Sequence, residues 1–130
     1  MMELAYDPPL DQLGDLSSVR TIRLLDDGKP AGQACWHYSA PGIVQILELE
    51  IPRSRQRKGL GAQILDAMIA QAQSHARKRR QPLRQVWMAV RQKSQVNGRA
   101  FLTDHGFHHV GTIPKILPDE DMLIYLKSYV

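Results

Sequence analysis

The stretch Glu50-Ile51-Pro52-Arg53-Ser54-Arg55-Gln56-Arg57-Lys58-Gly59-Leu60-Gly61-Ala62 constrains the chain more than any other. It joins an apolar, strand-like run to the clearest amphipathic helix in the sequence through a loop that is cationic and carries glycine. A strand, a basic glycine turn and a helix N-terminus together make an anion site. The first helical turn leaves unpaired N–H groups pointing at the loop, the macrodipole adds positive potential, and glycine lets backbone approach a phosphate closely. A pyrophosphate-containing ligand is the expectation.

Charge supports an anionic partner for this region. Formal net charge is +4 over 130 residues; residues 1–52 hold three Lys/Arg against eight Asp/Glu, whereas 53–93 hold eleven against one. Such asymmetry places an anion near the middle of the chain. Nucleic acid fits poorly, because there is no helix-turn-helix, zinc-finger or aromatic-basic strand signature. At 43% hydrophobic residues the chain suits a single domain, 1–130, with its own core. No run of about 18 apolar residues or signal-peptide pattern is present, and the single cysteine, Cys35, has no disulfide partner, so a cytoplasmic protein is expected. Cys35 itself reads as a small buried strand residue.

Met2 to Tyr6 reads as a short strand before Asp7-Pro8-Pro9, and Leu10 to Leu16 as at most a turn or two. Ser18 to Leu25 and Pro30 to Ala40 form a hairpin about Asp26-Asp27-Gly28, and Ile43 to Ile51 is the next strand, with Glu48 and Glu50 interleaved among apolar residues. Strand alternation should set both glutamates on one face and Gln45, Leu47, Leu49 and Ile51 on the other. From about Gly59 to Arg80, Leu60, Ile64, Leu65, Met68, Ile69 and Ala72 mark one helical face; His75, Arg77, Lys78, Arg79 and Arg80 read as a solvated helix end before Pro82. Val86 to Val90 is a continuous apolar run, as in a strand covered on both faces. Asn97 to His105 is a second helix with Ala100, Phe101 and Leu102 inward and Gly106 closing it; Phe107 to Gly111 and Met122 to Tyr129 are strands flanking a loop, Pro114 to Asp121. This order gives a layered α/β (α+β) domain.

The loop residues and the order of elements resemble the GNAT superfamily of N-acetyltransferases. The family's acetyl-CoA motif, Gln/Arg-x-x-Gly-x-Gly/Ala, stands here as Gln56-Arg57-Lys58-Gly59-Leu60-Gly61, after an Ile51-Pro52 strand exit and before an amphipathic helix. Downstream, Asn97-Gly98-Arg99-Ala100-Phe101-Leu102 leading to His105-Gly106-Phe107 is similar to the family's Asn, Ala, aromatic, Gly-Phe pattern. The resemblance covers Gln45 to the C-terminus well and residues 1–42 loosely. It implies a mixed, mostly antiparallel central sheet of about six or seven strands with helices on both faces and a shortened N-terminal helical region. Acetyl-CoA would lie with pantetheine beside Leu49, Glu50 and Ile51 and with pyrophosphate at the amides of Arg57 to Ala62, so that the cofactor contacts comprise Leu49, Glu50, Ile51, Gln56, Arg57, Lys58, Gly59, Leu60, Gly61, Ala62 and Asn97.

Acetyl transfer to an amine needs the neutral amine, yet an amine of pKa about 10.4 is protonated at neutral pH, so a base is useful. The family often places tyrosine where this chain has Leu102, and some members carry a fifth-strand carboxylate where it has Ala89. Glu48, with Glu50 beside it, is the remaining candidate base; a structural salt bridge is the other reading of the pair. An acid would have to come from Tyr125, Tyr129, His105, His37 or Tyr38, each of which is also a common packing or surface residue. A metal site is not expected, since His108 and His109 are adjacent in a strand and point to opposite faces.

The resemblance therefore implies an acetyl-CoA-dependent N-acetyltransferase acting on a primary amine, small-molecule or peptide, with no membrane involvement. The shortened front of the chain implies an acceptor side that is open or completed by a second copy in a homodimer. The missing tyrosine and carboxylate leave an alternative, a non-catalytic CoA- or acyl-CoA-binding module serving as sensor or scaffold.

Overall fold

The turn chemistry of the hairpin expected near residue 27 explains how the sheet begins. In the computed structural model, which describes residues 2–8, 19–52 and 59–129, Asp27 and Gly28 both take positive φ, 49° and 81°. That is the mirror-image turn whose twist matches paired strands, and Gly28 adopts it without a Cβ penalty. The turn joins β2 (Arg20–Asp26) to β3 (Lys29–Ala40), and Pro41-Gly42 then turns the chain into β4 (Ile43–Glu50). β1 (Met2–Asp7) pairs with the free side of β2, giving four antiparallel strands in sequence order.

The remaining described elements are α1 (Leu60–Lys78), β5 (Gln85–Arg91), α2 (Val96–Asp104), β6 (His108–Leu117) and β7 (Glu120–Ser128). The chain divides into two compact units, Met1–Leu83 and Arg84–Val130. In the second, β7 lies between β5 and β6, antiparallel to both, and α2 packs on β5. Among the described residues, seven strands, antiparallel in each of these pairings, and two helices make the mixed α/β class that the sequence predicts. Among the described residues no helix is long and apolar enough to cross a membrane.

In the first unit, α1 covers one face of the four strands. Its Leu60, Ile64, Leu65, Met68, Ala72 and Ala76 are buried, as are Ile22, Leu24, Ala34, Trp36, Tyr38, Val44 and Ile46 of the sheet. Periodicities of 3.6 and 2 thus meet at one apolar layer. Ile69, expected on this face, is only half-buried.

His75 departs from the solvated helix end expected for it: it is buried, as is Arg20 of β2. Tyr38 donates from its hydroxyl to the Ala72 carbonyl at 3.0 Å. His75 Nδ1 lies 3.3 Å from that hydroxyl and His75 Nε2 lies 3.2 Å from Arg20 Nη2. Because Arg20 can only donate, the chain of donation runs Arg20, His75, Tyr38, Ala72, and places the imidazole hydrogen on Nδ1. The helix end buries polar groups because they satisfy one another. Arg77 and Lys78 do remain exposed.

Three further differences have local causes. β5 alternates, with Val86, Met88 and Val90 buried and Trp87 and Ala89 half-buried, as suits a strand in antiparallel pairing better than one covered on both faces. The loop expected at Pro114 to Asp121 is mostly strand. An irregularity between Ile113 and Leu117 absorbs Pro114 and Lys115 (φ 49°), Asp121 Oδ1 accepts from the Lys115 N–H at 2.9 Å, and the ladder resumes at Leu117 and Glu120. In α2, Ala100 is exposed and Leu102 is the buried position. The helix closes as expected, with the N–H groups of Gly106 and Phe107 folding back to the carbonyls of Thr103 and Leu102 at 3.2 and 2.9 Å.

Burial pushes the Tyr38 hydroxyl above its ordinary pKa, against the opposing pull of Arg20 and Arg79. A raised folded-state value means stability is fully present below about pH 10 and is lost as pH rises through the folded value. Tyr38→Phe is expected to lower stability at pH 7 by about 1–2 kcal/mol, by leaving the Ala72 carbonyl and His75 without the hydroxyl, and to flatten the decline above about pH 10. Urea denaturation at pH 7 and in steps from 9 to 11.5 reads both effects; an equally steep alkaline decline in the variant would clear Tyr38 of this role.

Candidate functional site

The end of β4 and the start of α1 are pinned together from beneath. Gly32 of β3 lies so close to both that a Cβ built there would stand 2.6 Å from Ile51 Cδ1, 2.7 Å from Ile64 Cδ1 and 3.2 Å from the Glu50 carbonyl oxygen. The Ile51 and Ile64 side chains and the Glu50 carbonyl fill the space that a side chain at residue 32 would need. Ile51, just after β4, and Ile64, in α1, thus both reach over Gly32.

α1 begins without a side-chain cap. Gly59 occupies the N-cap position in left-handed conformation, φ 74° and ψ 9°, no side chain among the described residues caps the helix, and the first turn contains no acidic residue. Its first intrahelical bond runs from the Gln63 N–H to the Gly59 carbonyl at 3.1 Å. The amides of Leu60, Gly61 and Ala62 therefore precede the ladder. A Cβ added at Gly59 would meet nothing within 4 Å. Three amides, the positive end of a 19-residue helix and open space fit a phosphate or pyrophosphate.

Beside this site, β4 carries its carboxylates on the face turned away from α1. A bulge between the pairs Cys35–Glu48 and Trp36–Ile46 inserts Leu47, which is 44% exposed. The extra residue shifts the alternation. Leu49, opposite Ala34, joins the buried side of Val44 and Ile46, while Gln45, opposite His37, shares the face of Glu48 and Glu50. This corrects the expectation that Gln45, Leu47 and Leu49 would share a face. Gln45 Oε1 lies 2.8 Å from His37 Nε2.

Glu48 is gripped from β3. Gln33 Nε2 donates to its Oε1 at 3.1 Å, and the Cys35 thiol to its Oε2 at 3.8 Å; Thr21 Oγ1 lies 3.5 Å from the same sulfur. Glu48 and Glu50 are neighbouring carboxyls on this face. Glu48 is held below the ordinary carboxylate value, chiefly by the bond from Glu50 and then by that from Gln33, while Glu50 is raised by its bond to, and the negative charge of, Glu48. Cys35 is half-buried and faces this acidic pair, in a more polar setting than the apolar burial expected.

A family model, that of the acetyltransferase (GNAT) family, matches residues 3–107. The chain belongs to that family. No curated protein matches the sequence. Among solved structures, Ard1 from Thermoplasma volcanium is similar with TM-score 0.73 and 16% identity, over 85% of this chain and 70% of that one. The ribosomal-protein-S18-alanine N-acetyltransferase from Escherichia coli gives 0.69 and 22%, over 88% and 70%. A GNAT family acetyltransferase from Elizabethkingia anophelis with acetyl-CoA bound gives 0.70 and 15%, over 85% and 76%. At these identities the likeness is one of fold.

For a GNAT acetyltransferase, several predicted contacts cluster. Leu49 and Glu50 end β4, Ile51 follows it, and Gly59, Leu60, Gly61 and Ala62 open α1. Gln56, Arg57 and Lys58 lie outside the described residues, as do Leu10 to Leu16. Asn97 is exposed in the first turn of α2. Leu102, at the position where the family often has tyrosine, is 1% exposed in the core, and Ala89 sits within β5. Sequence reasoning missed Gln33 as a partner of Glu48. Its signal was the polar alternation Gln33, Cys35, His37 along β3, which marks a face without giving its register.

Proposed function

We propose that residues 1–130 act as one acyltransferase domain that moves the acetyl group of acetyl-CoA to a primary amine. The family match over residues 3–107 runs through both units, which supports treating them as one domain. The observation that carries the cofactor assignment is the uncapped, acid-free first turn of α1 behind the left-handed Gly59. Its amides at Leu60, Gly61 and Ala62 would take the pyrophosphate, with Gln56 as a further contact and Arg57 and Lys58 supplying cationic attraction. Leu49, Glu50 and Ile51 would run beside pantetheine, and Asn97 would complete the contacts.

Acetyl-CoA supplies the acetyl group as a thioester. An alkylammonium must first lose a proton; its nitrogen lone pair then attacks the thioester carbonyl, the carbon–sulfur bond breaks, and the second proton leaves with sulfur as free thiol. Glu48 and Glu50 are the carboxylates adjacent to the strand end and form the candidate proton acceptor. No tyrosine stands at Leu102 to protonate sulfur, so positioning would supply a large share of the rate. The same two absences, at Leu102 and Ala89, favour a second reading, a CoA- or acyl-CoA-binding module without turnover.

Calorimetric titration with CoA and acetyl-CoA, followed by a panel of small-molecule amines and N-terminal peptides scored for thiol release, separates the readings. The peptide arm follows from the name of the Escherichia coli neighbour, which acts on a protein alanine. Binding with thiol release on at least one amine is expected. Binding without release across the panel would favour the module, and absence of binding would remove both. A cytoplasmic location and a homodimer that completes the acceptor side belong to this proposal.

A further inference from the structure

Near its C-terminal end, α2 is anchored by Leu102, its buried position. Little in its own sequence fixes its start. Nine residues are fewer than an isolated helix needs to be stable in water, and Gly98 weakens the first turn. No side chain among the described residues caps that turn, and it contains no acidic residue. The helix start is set instead by groups outside it.

Those groups come from the head of β7. The turn Pro118-Asp119, with Asp119 at φ 62°, brings Glu120 back opposite Leu117. Glu120 Oε1 accepts from the Lys93 N–H at 3.0 Å and the Ser94 N–H at 3.1 Å, and the Ser94 hydroxyl stands 3.0 Å from both carboxylate oxygens. Successive amides turned toward one point form a concavity suited to an anion, and here the chain fills it with its own carboxylate. Chiefly through the Ser94 N–H, and against some desolvation, these bonds hold Glu120 below the ordinary carboxylate value, with Arg91 adding attraction. Around this clamp the Gln92 N–H donates to the Asp121 carbonyl at 3.0 Å, and the Arg91 N–H to Gln95 Oε1 at 2.7 Å. Arg99 of α2 reaches back to the Gln92 carbonyl at 2.8 Å. The turn 92–95 is thus tied down immediately before Asn97, which is exposed in the first turn of α2.

We propose that Glu120 is a positioning residue for the cofactor: by gripping the Lys93 and Ser94 amides it fixes the first turn of α2 and thereby Asn97. The inference rests on the acetyl-CoA reading above, in which Asn97 is a contact. A residue that acts only through Asn97 can cost no more than Asn97 itself. The clamp lies at the surface, so water takes the two amides when the carboxylate is removed, and its variants should fold.

The test is calorimetric titration of acetyl-CoA into the parent, Asn97→Ala, Glu120→Met, Glu120→Gln and the Asn97→Ala/Glu120→Met double variant, with a thermal melt of each. Proton NMR follows the Lys93 and Ser94 amides against pH. Asn97→Ala should weaken binding about 5-fold, the loss of one hydrogen bond, and Glu120→Met about 3-fold. The second change should cost nothing further in the Asn97→Ala background. Glu120→Gln keeps one acceptor oxygen for the two amides and should stay within about 2-fold of the parent. Because the folded value of Glu120 is lowered, the clamp is complete above the ordinary glutamate value of about 4.3 and is lost as pH falls through the folded value. The two amide signals should therefore move together with a midpoint below about 4.3, and Glu120→Gln should abolish that movement. The inference is overturned by a Glu120→Met or an Asn97→Ala variant that binds like the parent, by a Glu120→Met loss undiminished in the double variant, or by amides that do not move with pH. Absence of binding by the parent would remove the acetyl-CoA reading and the role of Glu120 together; binding by the parent accompanied by any of those results overturns the inference alone.

Discussion

Trp36→Ala is expected to destabilise the protein by about 3–5 kcal/mol, the range for removing a large aromatic from a packed core. Trp36 is fully buried on β3, between the sheet and α1. Its Nε1 donates to Gln71 Oε1 at 3.3 Å, tying strand to helix across 35 residues of sequence. The Tyr38 ring meets it edge-on at 5.4 Å, and the Arg20 guanidinium lies over it at 5.2 Å. Alanine would leave a cavity under α1 and remove the aromatic face that shares the burial of a charged Arg20. Against a total stability of about 5–15 kcal/mol for a domain of this class, such a loss leaves a large unfolded fraction at 37 °C. Trp36→Phe keeps most of the volume and should cost less than half as much. Urea denaturation of both variants decides the matter; a loss below about 1 kcal/mol for alanine would show that this layer is not the principal core of the first unit.

The parts legible in the sequence are those in which a local rule decides structure. Leu60, Ile64, Leu65, Met68 and Ala72 repeat at helical spacing, and α1 buries them. Asp27-Gly28 requires positive φ twice, and the β2–β3 hairpin turns there. Gly59 before an amphipathic run announces a helix start, and α1 begins there. Pro114 reads as a breaker, yet the irregularity after Ile113 absorbs it because the strand resumes pairing three residues later. That accommodation depends on β7, which single-sequence patterning does not supply.

The parts that were not legible depend on partners distant in the chain. His75 looks like one more cation at a helix end, and only Arg20, 55 residues earlier, explains its burial. The bulge at Leu47 leaves no mark in the composition of Ile46-Leu47-Glu48-Leu49, so alternation carried past it misplaces Gln45. Gln33 is paired with Glu48 by strand register, 15 residues apart. The carboxylate pair could be read as adjacent on one face, while the donors that make its two members unequal could not.

Gly61→Glu would have the largest effect on the anion site while sparing the fold. Residue 61 lies in the first turn of α1, where a carboxylate favours the helix dipole and any residue other than proline is a better helix former than glycine. The variant should be as stable as the parent or slightly more so. The same carboxylate would stand where the pyrophosphate is proposed to bind. Like charges about 5 Å apart at an effective dielectric of about 20 repel by roughly 3 kcal/mol, equivalent to an affinity loss on the order of 100-fold.

The most direct test of the acetyl-CoA site is therefore calorimetric titration of acetyl-CoA into the parent and into Gly61→Glu, with a thermal melt of each. Saturable binding by the parent, weakened on the order of 100-fold in a variant that melts no lower, is the predicted result. No binding by the parent, or equal affinity in the variant, would contradict a pyrophosphate site at the first turn of α1.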